Sequence, residues 1–241
     1  MKWTIVTGDT GGLGNAIVKN IISHDDCGVI GISRKSNDKV EQLLEKCPDR
    51  YNHINYDLSN PEEISKLYHE ELKKYGGIHG LVNNAANAYD DIVTNLQVEP
   101  LEKMFRINVY SPMLLTKYVI RDMLVYRIKG SIVHISSVSA HTGYKGLSMY
   151  ASTKGAIEAF SLGVSREWGT KGIRSNVVSP GFMETTISAG LTAEQKEKIY
   201  KRTSLKGETD IESVASTVVY LLGDEAKSIT GSVIRVDNGT V

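Results

Sequence analysis

The sequence predicts an α/β domain built on one doubly wound parallel sheet. Short runs rich in valine and isoleucine, each of strand length, alternate with amphipathic stretches along the whole chain. The first run, residues 4–6, ends in a glycine-rich turn that leads directly into a helical pattern. Because no linker, repeat or low-complexity segment interrupts this alternation, we expect residues 1–241 to form a single domain.

The composition excludes several classes of function. Lys and Arg total 28 and Asp and Glu total 28, so there is no basic excess that would favour nucleic acid. No apolar run approaches the length of a membrane span, and the histidines show no spacing typical of metal ligands. Cys27 and Cys47 fit no disulfide framework, which suggests a reducing compartment. We therefore expect a cytoplasmic protein without a metal, a membrane anchor or a nucleic-acid partner.

The glycine-rich turn after the first strand contains Gly8, Gly12 and Gly14. Glycines between a strand and a helix let backbone amides approach a diphosphate at the positive end of the helix dipole. The spacing differs from the common Gly-x-Gly-x-x-Gly form, and the Gly-Lys-Ser/Thr ending of a P-loop is absent. The turn predicts dinucleotide binding, with a plain strand-to-helix connection as the alternative.

The second predicted strand, residues 28–32, ends at Ser33 and Arg34. In a dinucleotide-binding fold this strand end lies beside the adenosine ribose, where an acidic residue would take the 2′-hydroxyl and an arginine would take a 2′-phosphate. Ser33 and Arg34 therefore favour NADP(H). An ordinary solvated Arg-Lys pair at a strand end is the alternative.

Other strand ends carry residues suited to the same cleft. The strand near residues 53–56 ends at Asp57, which could read an adenine amino group or only stabilise its loop. The strand at 79–83 ends in small polar residues that include Asn83 and Ala85, and the strand at 173–178 is broken by Pro180 and Gly181. We expect all of these at one edge of the sheet, because the carboxyl ends of parallel strands share an edge.

Asn108 interrupts an apolar pattern within residues 99–127, a region that is otherwise expected to be helical. Asparagine is a weak helix former and is costly to bury without a partner. Its presence indicates either a buried structural hydrogen bond or a catalytic position that holds a water molecule.

Residues 131–154 carry the predicted reaction chemistry. A buried strand at 132–135 ends in two serines, and a helix that starts near Met149 carries Tyr150 and Lys154 one turn apart on one face. Free tyrosine titrates near 10. An ammonium roughly 4–5 Å away, at an effective dielectric constant of about 20, would lower that pKa by roughly 2–3 units. We therefore expect Tyr150 to transfer protons.

Two further features bear on the substrate. Residues 186–206 have an irregular helical pattern, which is typical of a mobile substrate lid. Arg127, Lys129 and Lys171 are candidates for a basic rim on which an acidic carrier protein could dock.

With these residues placed, almost the whole chain resembles the short-chain dehydrogenase/reductase family, and within it the 3-oxoacyl-acyl-carrier-protein reductases. The resemblance implies a Rossmann-type fold, NADP(H) and a homotetramer. It implies catalytic roles for Ser137, which precedes Tyr150 by thirteen residues, and for Asn108, Tyr150 and Lys154. The coenzyme-binding residues that it implies are Gly8, Thr10, Gly12, Leu13, Gly14, Ser33, Arg34, Asp57, Leu58, Asn83, Ala85, Tyr150, Lys154, Pro180, Gly181, Met183 and Thr185.

The sequence departs from the family pattern mainly around the expected substrate site. Ala86 replaces a usual glycine, Asn238 interrupts the usual Asp-Gly-Gly, and residues 205–207 lack the common Pro…Gly-Arg pattern. Residues 147–149 also lack a glutamine that is often found there. A 3-oxoacyl thioester, free or held by acyl carrier protein, is the first substrate expectation. A sugar, polyol or other small ketone or alcohol is the second, and a catalytically silent coenzyme-binding regulator is the third.

Overall fold

Seven parallel strands form one sheet in the computed structural model, which describes residues 1–184 and 192–241. All six pairs of neighbouring strands are parallel. The strands are β1 (Lys2–Thr7), β2 (Cys27–Ser33), β3 (Tyr51–Asn55), β4 (Ile78–Asn83), β5 (Ser131–Ile135), β6 (Arg174–Pro180) and β7 (Val233–Val236).

The strand order is β3-β2-β1-β4-β5-β6-β7, so the direction of winding reverses between β1 and β4. At such a switch point the connections leave the carboxyl ends of two adjacent strands on opposite faces, and a crevice opens between them. The predicted α/β class and doubly wound parallel sheet are therefore confirmed.

Helices cover both faces of the sheet. Within the described ranges no helix is long and apolar enough to cross a membrane. The helices are α1 (Gly12–Ile22), α2 (Asp38–Lys46), α3 (Ile64–Leu67), α4 (Val98–Phe105), α5 (Ser111–Val125), α6 (Ser139–Thr142), α7 (Ser148–Trp168), α8 (Ala193–Tyr200) and α9 (Ile211–Leu222).

Two apolar cores lie on the opposite faces of the sheet. On one face Ile17 of α1 and Val218 of α9 pack over Val6 and its neighbours. On the other face Leu115 of α5 and Val164 of α7 pack over strand residues such as Ile5 and Ile132. Because both faces are buried, the strands are nearly continuous apolar runs, as expected for a parallel sheet.

The predicted helix over residues 99–127 is interrupted in the structure. A π-helical turn, Arg106–Tyr110, separates α4 from α5, and Asn108 lies inside it. Its side chain is 2% exposed and forms three hydrogen bonds to other segments of the chain. The asparagine therefore disturbs the helix because its polar side chain is directed inward.

The segment expected to be a lid, residues 186–206, is covered only in part. The portion from residue 192 contains α8, whose first turn is held by a capping box between Thr192 and Gln195. Residues 186–191 lie outside the described part of the chain. A mobile lid therefore stays a prediction.

The close packing of the glycine turn predicts unequal effects of two alanine substitutions. A Cβ on Gly14 would lie 2.1 Å from the Gly8 carbonyl oxygen, whereas one on Gly12 would lie 3.6 Å from Ile211, an ordinary contact. Gly14→Ala should lower the free energy of unfolding by about 1–3 kcal/mol, because backbone must shift. Gly12→Ala is the matched control and should change it by less than about 0.5 kcal/mol. Urea unfolding without coenzyme measures both, and equal losses would contradict this account.

Candidate active site

The glycine turn fits the diphosphate of a dinucleotide. Gly8 has a φ of 73°, in the left-handed region that glycine tolerates, and α1 starts at Gly12 with Gly11 as its N-cap. No side chain caps the helix, and its first turn contains no acidic residue. Its first backbone amides are therefore available to an anion at the positive end of the helix dipole. Leu13, in the same turn, is buried in the core.

Residues that follow β4 hold the glycine turn in place through hydrogen bonds. Asn84 donates to the carbonyls of Thr7 (2.9 Å) and Gly8 (3.3 Å), and the backbone amides of Asn84 and Ala85 both donate to Thr7 Oγ1 at 3.0 Å. The neighbouring Asn83 is directed into the protein, where its amide contacts Thr116 Oγ1 and His134 Nδ1. Ala85 therefore lies at the crevice, whereas the Asn83 side chain does not face it.

The end of β2 lies beside the same turn. Thr10 Oγ1 donates to Ser33 Oγ at 3.2 Å, and Ser33 Oγ donates to the buried carboxylate of Asp9 at 2.6 Å. Arg34 follows on the surface with an exposed side chain. Thr10, Ser33 and Arg34 are therefore close together, as the sequence predicts, but Asp9 was not foreseen as their partner.

Asp57 and Leu58, at the end of β3, have different surroundings. Asp57 Oδ1 accepts a hydrogen bond from the Ser59 amide at 2.9 Å, which stabilises the loop. Leu58 is buried in the core, and its carbonyl accepts a hydrogen bond from Ser111. Of the two roles left open for Asp57, the structure contains the loop-stabilising one.

Tyr150 and Lys154 lie on the first turns of α7, next to the end of β5. The Lys154 ammonium is buried and donates to the Ile135 carbonyl at 2.8 Å. It lies 5.5 Å from the centre of the Tyr150 ring. Ser137, two residues beyond Ile135, accepts a hydrogen bond from the Ser139 amide at 3.2 Å, so its own hydrogen is left to donate to a substrate oxygen. The three predicted side chains therefore share the carboxyl edge of β5.

The expected lowering of the tyrosine pKa is not found. Burial, and then the charge of Asp90, raise the pKa of Tyr150 above its usual value. Burial also lowers the pKa of Lys154 to about 8, an effect that Glu158 partly opposes. Spacing along the helix indicates only the attraction between phenolate and ammonium, whereas desolvation acts on both groups. The phenol is therefore protonated at neutral pH.

The side chain of Asn108 forms three hydrogen bonds to the protein, two as donor and one as acceptor. It accepts from the Asn87 amide and donates to the Asn87 carbonyl, both at 2.8 Å, and it donates to Thr153 Oγ1 at 3.1 Å. These bonds join the loop after β4 to α7, one residue before Lys154. The structural alternative for Asn108 is therefore observed, and the water-holding role stays a prediction.

The end of β6 and the residues after it border the crevice. The Pro180 carbonyl accepts from the Val138 amide at 3.0 Å, and the Gly181 amide donates to Val236 at 2.9 Å. A Cβ on Gly181 would lie 2.4 Å from Thr209 Oγ1, so only glycine fits without displacement. Met183 packs against the core on the α1 face. Thr185 lies outside the described residues.

Sequence reasoning missed three acidic residues near the site. Asp9 lies within the glycine motif itself, and Asp90 follows the Asn-Asn-Ala segment. Glu158 is one helical turn beyond Lys154, where it accepts from Ser136 Oγ at 2.5 Å and contacts His141 Nε2 at 3.1 Å. Of the three, only Glu158 could have been predicted from the sequence, because its spacing from Lys154 places both side chains on one helix face.

The candidate basic rim of Arg127, Lys129 and Lys171 lies away from Tyr150 of the same chain. A Cβ on Gly172 would lie 2.8 Å from Lys129, so these exposed residues do adjoin one another. However, they precede β5 and β6, at the amino edge of the sheet, whereas Tyr150 lies at the carboxyl edge. A five-residue strand separates the two edges by about 16 Å. The cluster therefore cannot border the active site of its own chain.

An anion-binding turn at the switch point, beside a protonated phenol and a buried amine, characterises an NAD(P)-dependent oxidoreductase. A family model described as "Enoyl-(Acyl carrier protein) reductase" matches residues 8–241. The chain is 31% identical over 242 residues to 3-oxoacyl-[acyl-carrier-protein] reductase FabG of Aquifex aeolicus (strain VF5), covering 99% of this chain and 96% of the relative.

Solved structures agree with this assignment. A 4-hydroxyisoleucine dehydrogenase complexed with NADH superposes with a TM-score of 0.93 at 26% identity, covering 100% of this chain and 99% of the other. A short chain dehydrogenase/reductase family protein superposes with a TM-score of 0.84 at 26% identity, covering 99% and 96%. The chain therefore belongs to the short-chain dehydrogenase/reductase family.

The lowered pKa of Lys154 predicts a pH dependence of coenzyme binding. As the pH rises through about 8, the ammonium becomes a neutral amine, and the buried cleft loses a charge that attracts the anionic dinucleotide. The affinity for NADH, measured by its fluorescence, should therefore fall across this pH range. NADH is suitable because its 2′ position carries no titrating phosphate.

Lys154→Arg is the matched control, because arginine stays protonated throughout that range. Its affinity for NADH should show no inflection near pH 8. A wild-type affinity that stays level through this pH, or the same inflection in the arginine variant, would contradict the assignment.

Proposed function

We propose that the chain reduces a carbonyl to a secondary alcohol with NADP(H), and that its substrate is a 3-oxoacyl thioester, free or held by acyl carrier protein. The observation that carries this proposal is the geometry of the site, in which the Lys154 ammonium lies 5.5 Å from the centre of the Tyr150 ring at the carboxyl end of β5. A phenol that keeps its proton at neutral pH is suited to protonate a carbonyl oxygen. The bound coenzyme supplies the hydride, and the chain supplies the proton and the alignment.

The hydroxyl of Ser137 would donate to the carbonyl oxygen of the substrate and fix its orientation beside Tyr150. Lys154 would hold the nicotinamide ribose, since its ammonium is already positioned by the Ile135 carbonyl. Asn108 fixes the loop after β4 against α7 through Asn87 and Thr153. In addition, we propose that Asn108 holds a water molecule that passes protons from Lys154 to solvent.

The coenzyme proposal rests on Arg34. Its exposed side chain follows Ser33 at the end of β2, where the sequence has no acidic residue to take a 2′-hydroxyl. A guanidinium is well suited to a 2′-phosphate, because it is always charged and can donate two parallel hydrogen bonds.

The substrate proposal rests on the relatives named as 3-oxoacyl-[acyl-carrier-protein] reductases, which match nearly the whole chain. A small hydroxylated substrate is the alternative, and the name of the 4-hydroxyisoleucine dehydrogenase supports it. The loop from His141 to Met149 would decide between them. Its Tyr144 ring lies 5.8 Å from the guanidinium of Arg202, beyond α8, so two segments meet at this side of the site.

We further propose a homotetramer in the cytoplasm. The family resemblance implies assembly through residues 99–127, residues 149–170 and the C-terminal strand, and apolar side chains are exposed on these segments. Burying such side chains in an interface would be favourable. They are Tyr110 of the π-helical turn, Val125 of α5, Leu162 of α7 and Val233 of β7. Cys27 and Cys47 are both free thiols, which suits a reducing compartment.

An NADPH-oxidation panel tests the proposed substrate class directly. Acetoacetyl-CoA should be reduced with a higher kcat/KM than small ketones or keto sugars. If acetoacetyl-CoA gives no turnover while a small ketone or sugar does, the thioester proposal fails and the alternative stands.

Tyr150→Phe tests the proton donor. Phenylalanine keeps the ring but cannot donate, so kcat should fall by roughly 10²–10⁴-fold. The affinity for the coenzyme should stay within about threefold, since the variant removes no charge. Turnover within about tenfold of wild type on an accepted ketone would rule out the acid role.

Arg34→Ala tests the coenzyme preference. Loss of a charged contact to the 2′-phosphate should raise the KM for NADPH by roughly tenfold and leave the KM for NADH nearly unchanged. Lys35→Ala, which removes the adjacent exposed charge, is the control and should change both values little. Equal changes for the two coenzymes in Arg34→Ala would contradict the proposal.

A further inference from the structure

Asp9 is a buried acidic residue at the glycine turn, and the proposed reaction does not use it. Its side chain is fully inaccessible, and its carboxylate accepts three hydrogen bonds. Ser33 Oγ donates to Oδ1 at 2.6 Å, while Tyr51 OH at 2.5 Å and His53 Nδ1 at 2.7 Å contact Oδ2. The two carboxylate oxygens therefore have separate partners, and only Oδ1 contacts a residue at the coenzyme cleft.

The sheet leaves space for the Asp9 carboxylate at Gly31. A Cβ on Gly31 of β2 would lie 1.8 Å from Asp9 Oδ2, so glycine leaves the space that the carboxylate fills. Gly31 pairs with His53 across β2 and β3, which brings the imidazole to the same place. Burial alone would lower the pKa of His53, but the hydrogen bonds to Asp9 and Asn55, together with the charges of Asp9 and Glu41, raise it. His53 is therefore a donor to Oδ2.

The Asp9 carboxylate sets the direction of the hydroxyl hydrogens that face the cleft. A carboxylate can only accept, so Ser33 must give its single hydrogen to Oδ1. Thr10 Oγ1 in turn donates to Ser33 Oγ at 3.2 Å. Both hydroxyls thus direct their hydrogens inward, and each presents lone pairs to the cleft.

The direction of these hydroxyl hydrogens distinguishes NADH from NADPH. A ribose 2′-hydroxyl can donate to a lone pair, whereas a 2′-phosphate offers only acceptors at neutral pH. We propose that Asp9 is a positioning residue for coenzyme choice, which acts through Ser33 to favour the 2′-hydroxyl and so opposes Arg34. The inference rests on the proposed coenzyme site. The opposing preferences of Ser33 and Arg34 would allow the chain to use both NADH and NADPH.

Asp9→Asn tests the proposal with little change in shape. Tyr51 and His53 donate to Oδ2, so the oxygen of the introduced amide takes that place and its NH₂ group faces Ser33. Ser33 would then accept from this NH₂ group and could donate its own hydrogen to a phosphate oxygen. The ratio of NADPH affinity to NADH affinity should rise about fivefold, the value of one hydrogen bond.

The affinities are measured on the full chain by coenzyme fluorescence without any carbonyl substrate, so the test does not depend on the proposed reaction. In a Ser33→Ala background, Asp9→Asn should leave the ratio unchanged. Tyr51→Phe is the matched control, because it removes a donor to Oδ2 without affecting Ser33. It should lower stability and leave the ratio unchanged.

Ser33→Ala alone gives a second test should Asp9→Asn fail to fold. Loss of an acceptor should weaken NADH binding several-fold and NADPH binding little. If Ser33→Ala weakens NADPH binding more than NADH binding, the proposal is overturned. It is also overturned if folded Asp9→Asn leaves the ratio of the two affinities unchanged, or if Asp9→Asn still changes that ratio in the Ser33→Ala background. A wild-type protein that binds neither coenzyme would overturn the coenzyme site and this inference together.

Discussion

The hydrogen bonds between Thr7 and the Asn84–Ala85 segment hold the site together. They tie the end of β1 to the end of β4 at the switch point, where no helix connects the two strands directly. The tight turn at Gly8 lies against the same asparagine amide, and the loop that continues from Ala85 is fixed to α7 through Asn108. These hydrogen bonds therefore set the position of the glycine turn relative to the loop after β4, which is in turn fixed against α7.

Desolvation determines the chemistry on the catalytic side. Lys154 and Tyr150 both lie where burial disfavours their charged forms, and their pKa values move in opposite directions. The amine approaches neutrality near pH 8 while the phenol keeps its proton. Such a pair donates a proton readily only when a substrate oxygen gains charge beside it, because the ground state holds no phenolate.

Local patterns predicted the fold, and they predicted which of the expected site residues lie close together. Gly8, Gly12 and Gly14 lie within one turn, and Tyr150 and Lys154 lie on one helix face, so spacing alone relates them. The Asp9 network could not be found this way, because its members come from the glycine turn, β2 and β3, and only the register of the sheet brings them together. The direction of the Tyr150 pKa shift depends on burial, which the spacing of residues along the sequence does not indicate. The position of the basic cluster can be inferred from the sequence, since Lys129 and Lys171 each precede a strand.

The space shared by Gly31 and Asp9 links two positions that are far apart in the chain. A relative with any side chain at position 31 would have no room for an acidic residue at position 9, since even a methyl group would meet the carboxylate oxygen. The two sites should therefore change together among homologues, as one inherited unit. The glycine on β2 and the acid in the turn would mark a subgroup of the family by sequence alone.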